Sequence, residues 1–335
     1  MELMSPIHIE KLSPPIRYGD KILLTGSCFT EHIGNALALH KFDTLQNPNG
    51  ILFDPYSVCD SLVSYTENRK YQEDDLILLN ELWQSWSHHS RFSGMDRSEV
   101  LNRINDSQQE AHDYLKTANW IIITLGSAFS YQLNENSQDT VHQQLHVANC
   151  HRAPGKWFDR NLLTIEQIIS QLDQVYHRLK VFNPTLKIIF TVSPVRHLRD
   201  GVIDNNRSKA RLIESVHHMV NKFTGLYYFP AYELVIDVLR DYRFYDIDLA
   251  HPNYLATEFV LDHFTTSCID ETSVQLMKEI KQVVLARNHR AFQPQTQAHR
   301  QFLRTHYEKA KSLSEKYSFL DFSEEMAYFS SAGGF

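Results

Sequence analysis

Glycine is scarce in this chain, with 11 residues in 335, where ordinary usage of about 7% would supply roughly 23. None falls between Gly225 and Gly333, so a glycine beside a reactive side chain carries more weight than usual. Cysteine is scarcer still. Cys28, Cys59, Cys150 and Cys268 are scattered without Cys-x-x-Cys spacing, which argues against a disulfide scaffold or a cysteine zinc site and fits a reducing cytoplasm. No apolar run approaches the roughly 18 residues of a membrane helix. The opening Met-Glu-Leu-Met-Ser-Pro lacks a charged segment followed by an apolar one, so a soluble, unexported, cytoplasmic protein without a membrane partner is expected. Basic patches are missing too: 33 Lys and Arg face 40 Asp and Glu for a formal net charge of -7, and nucleic acid is not an expected partner. The pairs His88-His89 and His217-His218 are adjacent in sequence and point apart on a helix, so no metal site is expected at either.

What is present reads as repeated strand-helix units. Ile22–Thr25 is a short apolar run leading into Gly26-Ser27-Cys28 and then Phe29, Ile33, Ala36 and Leu37 at helical spacing. Trp120–Leu125 and Leu186–Val192 are β-branched runs of buried parallel strands. Between them, Ile165, Ile168, Ile169, Leu172, Val175, Tyr176 and Leu179 share one helix face, opened by Thr164 with Gln167 three residues later as a capping box. A second stripe from Leu212 to Phe223 precedes the run Leu226–Phe229. Residues 67–92 and 129–148 read as small hairpins. The expected fold is a three-layer α/β/α sandwich around a mainly parallel sheet, with reactive groups at the strand carboxyl edge. One α/β domain over residues 1–284 and a helical C-terminal tail over 285–335 are expected.

Two motifs carry chemistry. Ser27 sits where a strand turns into a helix, where its hydroxyl serves either as an N-cap or as a nucleophile beside backbone N–H groups that stabilise an oxyanion. Asp248-Leu249-Ala250-His251 places a carboxylate three residues before an imidazole, so the acid fixes the tautomer and leaves the other ring nitrogen for a nucleophile.

Leu-Leu-Thr-Gly-Ser-Cys-Phe-Thr at residues 23–30 resembles the Gly-Ser-Cys-Phe-Ala signature of the GSCFA family, which looks like a branch of the SGNH/GDSL-type hydrolases. The resemblance continues through Asn47–Phe53, Thr124–Ala128, Asn149-Cys150-His151, Thr191–His197 and Asp241–Tyr245, and spans roughly residues 20 to 260. It implies a flavodoxin-like fold and a serine hydrolase acting on an acyl ester without metal or organic cofactor. Ser27 would be nucleophile, His251 general base and Asp248 its orienting partner. The oxyanion hole would combine the Ser27 and Gly50 amides with a side-chain amide. Ala128 stands where the wider superfamily has asparagine, and Asn149 is the substitute.

Arg196 and His197 follow a strand at the ligand-binding edge and would meet an anionic or sugar-like substrate, or anchor the loop by a salt bridge. Asn149 and Arg196 are expected to line the pocket that holds Ser27. Asn205–Lys209 reads as a helix cap with solvated cations, and the Cys28 side chain as core-facing. The leading reading is an esterase or acyl-transfer enzyme on a small-molecule or carbohydrate ester. Its rivals are a non-catalytic carbohydrate- or peptide-binding module that retains the cleft, and a thiol-dependent acyltransferase at Cys28.

Overall fold

The computed structural model describes residues 5–142 and 145–334. In chain order its elements begin with β1 (Lys21–Gly26), α1 (Cys28–Leu39), β2 (Asp43–Gln46), α2 (Pro55–Glu67), β3 (Ile77–Leu79), β4 (Leu82–Gln84) and α3 (Arg97–Thr117). They continue through β5 (Trp120–Leu125), β6 (Phe129–Leu133), β7 (His146–Val147), β8 (Phe158–Leu162), α4 (Ile165–Phe182), β9 (Lys187–Val192), α5 (Gly201–Lys222) and β10 (Leu226–Tyr228). A short turn α6 (Ala231–Glu233) precedes α7 (Tyr254–Cys268), α8 (Glu271–Asn288), α9 (Gln297–Lys316) and α10 (Ser323–Gly333).

The main sheet has the order β10-β9-β5-β1-β2, with β1, β5, β9 and β10 in parallel ladders. Counting only these five strands, the order is 2-1-3-4-5, that of flavodoxin-like folds, and its switch point lies between β1 and β5. There Gly26 pairs with Thr124 and Thr124 with Thr191. Both faces of β5 are buried, which is why Trp-Ile-Ile-Ile-Thr-Leu runs apolar without alternation.

One face packs Leu23, Ile121, Ile123, Ile188 and Phe190 against Val58, Leu62, Leu172, Val175, Leu212 and Val216. Burying each such side chain contributes roughly 1.5–3 kcal/mol. On the opposite face Ile22, Leu24, Ile122 and Ile189 are equally buried. Thr164 caps α4 and Gln167 returns the bond, completing the capping box. The two polar excursions are antiparallel, β3 with β4 and β6 with β7 and β8.

The chain forms two compact units. The first contains Lys21–Gly34 and Thr44–Phe264 with the described residues up to Glu10, and the second contains Lys11–Asp20, Asn35–Asp43 and the chain from Thr265 on. The second unit has its own core of Leu276, Ile280, Val283, Leu303, Leu313, Phe322 and Phe329, and α8 runs across residues 284 and 285. No helix among the described residues is long and apolar enough to cross a membrane.

Candidate active site

The turn after β1 can be made only by glycine. Gly26 has φ +133°, and a Cβ there would lie 2.1 Å from the Thr124 carbonyl oxygen. Ser27 follows as the link to α1; its N–H donates to Thr124 O at 3.1 Å and its carbonyl accepts from Thr30 N at 2.9 Å. A capping serine would accept from an amide in the first helical turn. Ser27 Oγ is buried and has no hydrogen-bond partner among the described residues, so it does not cap α1. An orphaned buried hydroxyl costs about 1–3 kcal/mol. The hydroxyls of Thr25, Thr30, Thr124 and Thr191 share that state, making this end of the sheet unusually rich in unpaired hydroxyls.

The Asp-x-x-His turn is closed by Asp246 N to His251 O at 2.8 Å and Leu249 N to Asp246 O at 2.9 Å. Leu249 adopts φ +57°, a left-handed conformation rare for a side chain of this size. Asp248 Oδ1 accepts from the Ala250 and His251 amides at 2.9 and 3.0 Å, and Oδ2 lies 2.6 Å from His251 Nδ1. The three bonds hold the Asp248 carboxyl down to about 2. With Nδ1–H donated to the carboxylate, Nε2 is the unprotonated nitrogen of the neutral ring, and no hydrogen bond among the described residues engages it.

Gly126 and His197 lie between the two motifs. A Cβ on Gly126 would lie 3.2 Å from Ser27 Cβ. The His197 ring stands edge-on to the Phe53 ring at 5.8 Å between centroids, and Phe53 O accepts from the Gly126 and Ser127 amides at 2.8 and 3.0 Å. Arg196 N donates to Ala250 O at 3.1 Å, which ties the histidine turn to the segment after β9. The serine turn and the histidine turn thus share the carboxyl edge of the sheet. No hydrogen bond joins Ser27 Oγ to His251, and Ser27 is 1% exposed while the His251 side chain is 45% exposed.

The backbone amides expected to form the oxyanion hole are bonded within the chain. The Ser27 amide continues the ladder to Thr124, and the Gly50 amide closes a turn onto Asn47 O at 2.7 Å, so both are engaged within the backbone. Asn149 Oδ1 accepts from His151 N at 2.9 Å, and its Nδ2 makes no hydrogen bond among the described residues. Ala128 is fully buried in the core, its N–H donating to Ser208 Oγ at 2.7 Å.

Arg196 and His197 line a 420 Å³ cleft with Asn205, Tyr232, Asp237 and Tyr242, and neither Ser27 nor Asn149 lines it. Arg196 donates to Tyr242 Oη at 3.0 Å and lies 4.8 Å from the centre of the Tyr245 ring. It makes no carboxylate ion pair among the described residues, so the salt-bridge anchor is not formed. Burial holds the His197 ring down to about 4, the Lys209 charge acting in the same direction, so His197 is a neutral hydrogen-bonding group at neutral pH.

Two expectations are corrected. The Asn205–Lys209 segment is no solvated cap: α5 begins at Gly201, and Asn205, Ser208 and Lys209 are buried, spaced so that one face of the helix meets the sheet edge. Asn205 Oδ1 accepts from His197 N at 3.0 Å, and Lys209 Nζ donates to the Gly126 and Ser193 carbonyls at 2.6 Å each. That spacing was the available signal for Lys209, which sequence reasoning missed. Cys28 is partly exposed rather than core-facing. Burial pushes its thiol up, and the Lys209 ammonium draws it partly back.

Residues 21–264 match the GSCFA family, and residues 280–332 match the GSCFA domain protein, C-terminal domain. No curated protein matches the sequence. Among solved structures, a carbohydrate esterase family 3 protein from Talaromyces cellulolyticus is 9% identical with a TM-score of 0.37, over 78% of this chain and 99% of that one. An acetyl xylan esterase from the rumen bacterium Butyrivibrio proteoclasticus is 12% identical with a TM-score of 0.36, over 75% of this chain and 64% of that one. Likenesses of this size bear on neither activity nor substrate.

Proposed function

Because the chain belongs to the GSCFA family, we propose that it is a serine esterase or acyl-transfer enzyme with Ser27 as nucleophile, His251 as general base and Asp248 as the group that orients the base. The observation that carries this reading is the Asp248 Oδ2 to His251 Nδ1 contact of 2.6 Å, which turns Nε2 away from the carboxylate, while among the described residues neither Nε2 nor the Ser27 hydroxyl has a hydrogen-bond partner.

In the reaction, Nε2 takes the Ser27 hydroxyl proton as Oγ bonds to the ester carbonyl carbon, and the imidazolium is stabilised by Asp248. The tetrahedral oxyanion is met by donors at this edge. The start of α1 offers the Cys28 amide, which has no preceding helical carbonyl to bond, and Asn149 Nδ2 is a second candidate. Collapse expels the alcohol, which takes the proton back from Nε2. Water or a second hydroxyl then repeats the sequence on the acyl-serine, so every proton is handled by His251. An O-acyl carbohydrate or other small ester would place its polar part in the cleft of Arg196, two asparagines and two tyrosines, whose lining does not include Ser27. With Ser27 only 1% exposed, the acyl carbon reaches Oγ only after side chains at this edge move.

A second reading is a binding module that retains the cleft without turnover, favoured by the internal engagement of the Ser27 and Gly50 amides. Hydrolysis of nitrophenyl acetate by wild type and Ser27→Ala separates the two. The esterase reading expects turnover in wild type and background rates in the variant, and equal background rates in both contradict it.

A further inference from the structure

Lys209 is buried, and it makes no ion pair among the described residues. Its Nζ bonds to the carbonyl oxygens of Gly126 and Ser193 at 2.6 Å each, one just beyond the end of β5 and the other just beyond β9. An ammonium removed from water without a counter-ion costs several kcal/mol, so a lysine is an expensive way to hold two carbonyls. Elsewhere the same chain does this with a neutral amide: Asn183 Nδ2 donates to Leu115 O and Ala118 O at 3.0 and 2.8 Å. What distinguishes the Lys209 position is its neighbourhood. Gly126, which it holds, is the residue where an added Cβ would lie 3.2 Å from Ser27 Cβ. The Tyr232 ring of α6 lies 6.0 Å from Nζ, and the Cys28 thiol of α1 and the neutral His197 ring after β9 are within electrostatic range of it.

We propose that Lys209 is a positioning residue of this site, whose ammonium, clamped beneath the serine turn by two strand-end carbonyls, supplies the positive field in which negative charge forms at Ser27 and its bound acyl group. This deepens the serine-nucleophile reading and rests on it. A preorganised charge in a water-excluded site acts without reorganising at the moment of reaction, and so lowers the barrier more than the same charge in solvent. A merely structural clip would need the hydrogen bonds and not the charge.

The test separates charge from hydrogen bonding. In a chain carrying Ser27→Cys and Cys28→Ala, the introduced thiol reports the field at the nucleophile position through its thiolate absorbance, read as a difference against the matching Ser27→Ala chain. Lys209→Gln keeps N–H donors for the two carbonyls and removes the charge; Lys209→Met, close in length and apolar, is the second variant should the first fail to fold. The expected result is a thiol midpoint about one pH unit higher or more without the lysine charge, a tenfold or greater loss of thiolate at fixed pH. In the Ser27 enzyme, Lys209→Gln should lower kcat on nitrophenyl acetate at least about tenfold while KM stays within about twofold. An unmoved thiol midpoint in a folded variant overturns the proposal. The thiol titration uses no ester, so absence of hydrolysis in wild type would strike the esterase reading and leave the field measurement to stand or fall by itself.

Discussion

Asp248 holds His251 at two points, through Oδ2 to Nδ1 at 2.6 Å and through Oδ1 to the backbone N–H at 3.0 Å. The pair is therefore a rigid unit within one turn, and the histidine tautomer is set before any substrate arrives. Asp248→Asn should keep the turn and lose the tautomer preference, lowering kcat/KM by about a hundredfold or more, yet less than His251→Ala does. Since the Asp248 carboxyl is held down to about 2, its own titration should add no inflection to the pH–rate profile in the neutral range. Steady-state kinetics of the two variants on one activated ester checks both statements.

Nucleophile and base act as one unit, so their losses should not add. Ser27→Ala and His251→Ala should each cost at least about a thousandfold in kcat, and the double variant little more than either. Cys28→Ala should be mild. Retained rates in Ser27→Ala with loss in Cys28→Ala would transfer the chemistry to the thiol.

Gly26→Ala should be among the more damaging single-methyl additions in the chain. The new Cβ would stand 2.1 Å from the Thr124 carbonyl at a φ of +133°, so β1 and β5 must separate or the turn must rotate. A loss of more than about 2 kcal/mol is expected from strain and the broken ladder bond at Ser27. The midpoint of chemical denaturation measures it.

Much of this fold was legible because its strands advertise themselves. Ile121-Ile122-Ile123 and Ile188-Ile189-Phe190 are buried on both faces and carry no alternation to confuse. The capping box at Thr164 and Gln167 was readable for the same reason, since both bonds are local. Residues 55–67 were not assigned from the sequence. Ser57, Ser61 and Ser64 occupy buried positions of α2, and a serine tolerates burial there because Ser61 Oγ and Ser64 Oγ bond back to the carbonyls of Val58 and Ser61. At the site, Ser27, Asp248 and His251 were legible as motif and spacing. Lys209 was not, because burial of a lysine is decided by the two strand ends that meet it, and those lie 16 and 83 residues away in sequence. The engagement of the Ser27 and Gly50 amides was likewise a matter of tertiary pairing.

The central claim is that Ser27 Oγ is a nucleophile, and covalent capture tests it most directly. Wild type and Ser27→Ala should be incubated with a fluorophosphonate serine probe and read by intact mass, with the modified residue located by peptide fragmentation. One adduct per chain on Ser27 is expected in wild type and none in Ser27→Ala. Equal labelling of both chains, or an adduct on another residue, would contradict it.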